Sequence, residues 1–169
     1  MLNWAVTFLV IALIEEYVKY LPVKFLIEKR GEFDEPVDAM IYMMTAALGF
    51  AALENALFLL KPFTLGNTAV GLLTGQLRFL GSTLLHTISS GTIGISMGLS
   101  FYMGGLTKKL YVLMGIVAAI ALHSAFNFFI IQNEGGSILK VLAFLWIGAI
   151  MVMLLFEKLR RMNPKINSN

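Results

Sequence analysis

Glu15-Glu16-Tyr17-Val18-Lys19 interrupts an N-terminal stretch that is otherwise almost wholly apolar from Met1 to Ile14. An ionised side chain at the centre of a membrane-type helix costs roughly 2.5–3.5 kcal/mol on insertion scales. A chain that retains three such groups turns them toward other helices, pairs them, or uses them in chemistry. Matching polar residues stand in three further apolar stretches: Glu54, His86, and His123 with Asn127. The pattern points to a catalytic site built inside a membrane.

Composition supports that setting. Of 169 residues, 58% are hydrophobic and 14% charged, with a mean hydropathy of +0.80. A soluble domain carries about 45–50% apolar and about 25% charged residues. The expectation is an all-α, polytopic transmembrane bundle forming one integral-membrane domain over 1–169. With no cysteine, disulfides, thiolate metal sites and a cysteine nucleophile are excluded. A net charge of +3 is too small to argue for nucleic acid. Met1 to Ile14 has no basic n-region and no small-residue cleavage site, so it reads as the start of a retained helix.

Five spans are legible, at 4–27, 37–60, 80–103, 109–131 and 138–157, each long enough for a hydrocarbon core of about 30 Å. Pro22 is expected to kink the end of the first. The second is expected to stop at Lys61-Pro62. The segment 63–79 is apolar but holds Gly66, Gly71 and Gly75, and reads as an interfacial or re-entrant piece. Lys24, Lys29, Arg30, Lys108, Lys109 and the basic tail 158–169 fall on one side of the membrane; Lys61, Arg78 and Lys140 fall on the other. The positive-inside rule then places the N-terminus outside and the C-terminus in the cytoplasm. Gly94 and Gly98 form a small-xxx-small pair suited to close helix approach.

Residues four apart share a helix face, which sets Glu15 beside Lys19, Phe50 beside Glu54, His86 beside Ser90 and His123 beside Asn127. At 1.5 Å per residue, Glu15 lies roughly 16 Å below the outer end of its span and His86 about 9 Å below that of its own. By the same rise, Glu54 is about 25 Å and His123 about 20 Å up from the cytoplasmic ends of theirs. All four fall in the outer half of the bilayer. Two carboxylates and two imidazoles suit activation of water for attack on a carbonyl, with Glu15 or Glu54 as base. Asn127 suits donation to an oxyanion, and Lys19 suits orientation of its neighbouring carboxylate. The same side chains suit one divalent metal such as zinc, although the helix signature HExxH is absent.

Glu15-Glu16-x-x-Lys19, Phe50-x-x-x-Glu54-Asn55, a lone His86, and His123-x-x-x-Asn127 together resemble the motif set of the PrsW family of intramembrane proteases. Asp38, ahead of Gly49-Phe50, is similar as well. The resemblance covers residues 15–127. It implies a prokaryotic multi-pass protease of the cell membrane that cuts a single-span, membrane-anchored protein, such as an anti-sigma factor, on its extracytoplasmic side. Glu15, Glu16, Glu54, His86 and His123 are the catalytic set it implies, with Lys19, Asn55 and Asn127 in support. Two other readings suit a buried polar cluster: an ion-coupled transporter, and a non-enzymatic immunity or partner-binding protein. The first would carry flux across a vesicle without proteolysis; the second would survive neutralisation of the acids.

Overall fold

The computed structural model describes residues 2–132 and 138–162, and their regular structure is entirely helical. Helix α1 (Leu2–Pro22) runs into a π-helical turn (Val23–Ile27), followed by α2 (Pro36–Thr64), α3 (Thr68–Leu99), α4 (Gly105–Gln132) and α5 (Ile138–Arg160). The α-helical hydrogen-bond pattern of α1 ends at Pro22, which has no N–H to give, and the wider π turn follows; Glu28 N–H closes it on Val23 O at 2.9 Å. Pro36 opens α2, where a missing N–H leaves no bond unmade. Asp38 accepts from the backbone N–H groups of Asp34 (3.1 Å) and Glu35 (2.8 Å). Its role here is that of an acidic residue anchoring a helix N-terminus.

The segment 63–79 does not form a separate interfacial or re-entrant piece. α2 continues through Pro62 to Thr64, the chain turns at Leu65-Gly66-Asn67, and α3 starts at Thr68. Gly66 takes a positive φ of 71°, and the Asn67 side chain caps α3 by accepting from Val70 N–H at 3.3 Å. Gly71 and Gly75 are packing positions within α3, facing Phe63 and Leu59 of α2. Small residues mark helix contact as readily as helix breakage, and here they mark contact.

α3 is central and packs against α1, α2, α4 and α5. Two apolar clusters join the helices. One links Met40, Leu85, Ile88, Phe126, Leu145 and Val152; the other links Val23, Ala39, Met43, Ile93, Met97 and Ala119. Just past the π turn, Glu28 takes Lys24 and, at 3.2 Å, Lys108 at the start of α4. Partial burial works against its charge, yet the hydrogen bonds and charges of these two lysines hold the Glu28 carboxyl below its ordinary value.

Polarity is inverted relative to a water-soluble bundle. Leu53 and Trp146 are 63% and 61% exposed, while Glu16, Lys19, His86 and His123 are all at most 2% exposed. An apolar exterior around a polar interior suits lipid as the surrounding solvent. By length and composition, three of the described helices, α2, α4 and α5, are apolar enough to cross a membrane. α1 and α3 carry most of the polar residues that line the interior, with Glu54 and Asn55 of α2 and His123 of α4.

Close approach of α3 to α2 depends on Gly94 and Gly98. A Cβ at Gly94 would lie 2.6 Å from Met40 Cα and 2.9 Å from Ala39 O; at Gly98 it would meet Pro36 O and Leu159. Backbone atoms cannot swing aside. Gly94→Ala is expected to destabilise the bundle by about 1–3 kcal/mol through overpacking. Gly49→Ala, whose added methyl meets nothing within 4 Å, should leave stability unchanged or slightly higher. Reversible unfolding in mixed micelles measures both.

Candidate functional site

Glu16 lies fully buried at the meeting point of three helices. Its Oε1 accepts from Lys19 Nζ of α1 (2.7 Å), Ser89 Oγ of α3 (2.9 Å) and His123 Nδ1 of α4 (2.8 Å); its Oε2 accepts from Ser90 Oγ of α3 (2.7 Å). A buried carboxylate is tolerable only when paired and hydrogen-bonded in this way. Lys19 Nζ reaches on to His86 Nδ1 at 2.7 Å and sits 4.7 Å from the centroid of the Phe50 ring.

These contacts dictate the tautomers. An ammonium has only protons to give, so His86 Nδ1 accepts and its Nε2–H donates to Glu54 Oε2 at 2.9 Å. His123 Nδ1–H donates to the Glu16 carboxylate, which leaves the Nε2 lone pair of His123 facing Glu15 Oε2 at 3.4 Å. Glu15 Oε2 is buried and, among the described residues, has no hydrogen-bond donor. Two acceptors thus face each other across a gap, with the two imidazoles 5.0 Å apart, edge to face. Such a gap suits a proton, a water or a cation. Glu15, His86 and His123 each offer one ligand atom, all within 4.8 Å of one another, and a divalent ion would find its donors there.

Glu54 stands on the far side of His86. Besides the imidazole, its Oε2 accepts from Arg78 at 2.8 Å and Ser82 at 3.3 Å. Asn55 accepts from Arg78 Nε at 3.0 Å and donates to Thr83 Oγ1 at 3.0 Å. Glu15, Glu16, Lys19, Glu54, Asn55, His86 and His123 therefore converge in one connected network. Asn127, one turn beyond His123, is half-buried and, among the described residues, takes no part in it.

Two expectations change. Lys19 pairs with Glu16 three residues earlier, not with Glu15 four residues earlier, because His86 on α3 and the Glu16 carboxylate lie on the same side of its stem. The depth of His86 also shifts. Counted from the true start of α3, it lies about 27 Å along the helix and not about 9 Å, which brings it near the helix middle. Sequence reasoning missed Ser89, Ser90, Ser82 and Arg78 as site residues. Arg78, Ser82, His86 and Ser90 recur every four residues, a polar stripe on one face of α3 that was there to be read.

Breaking the central ion pair should be costly. Lys19→Met would leave Glu16 buried without its cation and is expected to destabilise the bundle by about 3–5 kcal/mol. The double variant Glu16→Gln/Lys19→Met should recover a large part of that loss. Unfolding of the single and double variants under one condition checks both.

Comparison with known proteins identifies the family. The family model described as PrsW family intramembrane metalloprotease matches residues 2–156. A protein named Protease PrsW from Geobacillus kaustophilus (strain HTA426) is 32% identical over 130 residues, covering 77% of this chain and 54% of that protein. Proteins of the same name from Shouchella clausii (strain KSM-K16) and Bacillus subtilis (strain 168) are 29% and 24% identical, covering 86% and 85% of this chain and 65% and 63% of their own lengths. The chain thus spans under two thirds of the length of these curated relatives. No solved structure matches significantly. On the breadth of the family match, the chain belongs to the PrsW family.

Proposed function

We propose that this protein is an intramembrane endopeptidase of the cell membrane, cutting a single-span, membrane-anchored protein of the anti-sigma-factor kind near its extracytoplasmic side. Its five helices would span the bilayer, with the N-terminus outside and the C-terminus in the cytoplasm, as the lysine and arginine distribution favours. Family membership supports the reaction class. The observation that carries the mechanism is the buried, donor-free Glu15 oxygen facing the open Nε2 of His123.

Geometry divides the labour among the acids. Glu16 and Glu54 are committed to holding His123 and His86. Glu15 is uncommitted and is the general base. A water between Glu15 and His123 loses a proton to Glu15 as its oxygen bonds to the scissile carbonyl carbon. When the C–N bond breaks, that proton passes from Glu15 to the leaving amine, so the base returns to its starting form. The amide of Asn127, one turn from His123, would donate to the oxyanion.

The family description implies a metal, and the donors here fit one. Glu15 Oε2 and His123 Nε2 have free lone pairs, and His86 Nδ1 would complete the set on release by Lys19. Two imidazoles and a carboxylate suit zinc. When bound, such an ion supplies Lewis-acid polarisation and a water of lowered pKa. Complete chelation followed by metal analysis separates the two forms. Loss of cleavage restored by one divalent ion at matching occupancy establishes the metal-dependent enzyme; full activity in metal-free protein establishes the glutamate-only enzyme.

Glu15→Gln is expected to lower cleavage of a membrane-anchored substrate by about 10²–10⁴-fold, the range of general-base catalysis, with the bundle folded. His123→Ala should match it. Cleavage by purified protein in proteoliposomes, followed by detection of both fragments, measures the effect. Undiminished turnover in both variants would remove Glu15 and His123 from the mechanism, and absence of cleavage by the wild type would remove the hydrolase reading.

A further inference from the structure

The polar stripe of α3 begins at Arg78, a residue that the steps above leave unused. Its guanidinium donates to Glu54 Oε2 at 2.8 Å, Asn55 Oδ1 at 3.0 Å and Ser82 Oγ at 3.4 Å, and lies 3.6 Å from the centroid of the Phe58 ring. Asn55 is itself tied to Thr83 of α3. A flexible side chain is thereby held in one place from four directions.

Glu54 needs a counter-charge, because it lies in an apolar span and its other close partner is an imidazole that is neutral when Nδ1 accepts from Lys19. Among the described residues, Arg78 is the lysine or arginine paired with Glu54. The planar fork matters as much as the charge: Nε and Nη2 reach Asn55 and Glu54, adjacent residues of α2, at the same time. A lysine is a point charge and cannot span both.

We propose that Arg78 is a positioning residue that clamps the Glu54 carboxylate on His86 Nε2, and so keeps His86 as the Nε2–H tautomer with its Nδ1 lone pair turned toward Lys19 and the Glu15–His123 gap. The effect on turnover rests on the hydrolase reading; the effect on the imidazole does not. Outer partners that orient a working histidine are commonly worth about 10–100-fold in activity or ligand affinity.

The chain has two histidines, which makes nitrogen-15 imidazole spectra of the full protein in nanodiscs easy to assign. In the wild type, His86 should show a protonated Nε2 and a bare Nδ1. Arg78→Gln should convert this to a mixture of tautomers, lower kcat by about 10–100-fold, and leave KM little changed. Added to Glu54→Gln, it should cause no further loss, since it acts through that carboxylate. Arg78→Lys keeps the charge without the fork, and should shift the His86 resonances in the same direction by less; it serves if Arg78→Gln fails to fold. Unchanged His86 resonances in a folded Arg78 variant, or an equal loss of kcat with and without Glu54→Gln, would overturn the proposal. Should the wild-type chain cleave no substrate, the hydrolase reading falls, while the spectra still decide the role of Arg78.

Discussion

One buried carboxylate sets the architecture of this interior. Glu16 collects four donors, from α1, α3 and α4. In a low-dielectric setting each of these bonds is strong; losing Lys19 leaves an uncompensated charge, and losing any of the others leaves a carboxylate lone pair unsatisfied. The demand of Glu16 for donors therefore locks the relative position of the three helices. Its neighbour Glu15, about 100° further round the same helix, is carried to the other side of the His123 ring. A single imidazole thus separates a committed acid from an uncommitted one.

That division gives two adjacent, chemically identical residues different roles. Glu16 spends its lone pairs on structure and on the orientation of His123, much as a buried carboxylate orients the histidine of a hydrolase triad. Glu54 does the corresponding service for His86, with Arg78 behind it. Among the described residues, Glu15 alone keeps a buried side-chain oxygen without a donor. An unsatisfied buried acceptor costs about 1–3 kcal/mol, so its retention is best understood as preparation for a water, a proton or a cation that belongs there.

Much of this was legible in the sequence, for identifiable reasons. Charges are so expensive in apolar spans that Glu15, Glu16, Lys19 and Glu54 announce themselves, whereas Asn127, set beside His123 by helical spacing, stays outside the network among the described residues. The five helices follow from hydrophobic length. What could not be read was which partner each charge would choose. The i,i+4 rule favours Glu15 for Lys19, but tertiary contact with His86 and Ser89 decides for Glu16. Arg78 read as a topology charge because its partner lies 24 residues away on the preceding helix. The glycines of 66–75 misled for a related reason: one glycine at a turn and two at a helix contact look alike until the facing residues, Phe63 and Leu59, are known.

Direct imaging of the gap between Glu15 and His123 tests the account most sharply. An experimental map of the protein in a bilayer mimetic, at a resolution that shows side chains and ordered solvent, should place Glu15 Oε2 against His123 Nε2 with a water or an ion bound by both, and Lys19 bridging Glu16 and His86. A map in which Glu15 is paired with Lys19, or is turned out toward lipid, would contradict it.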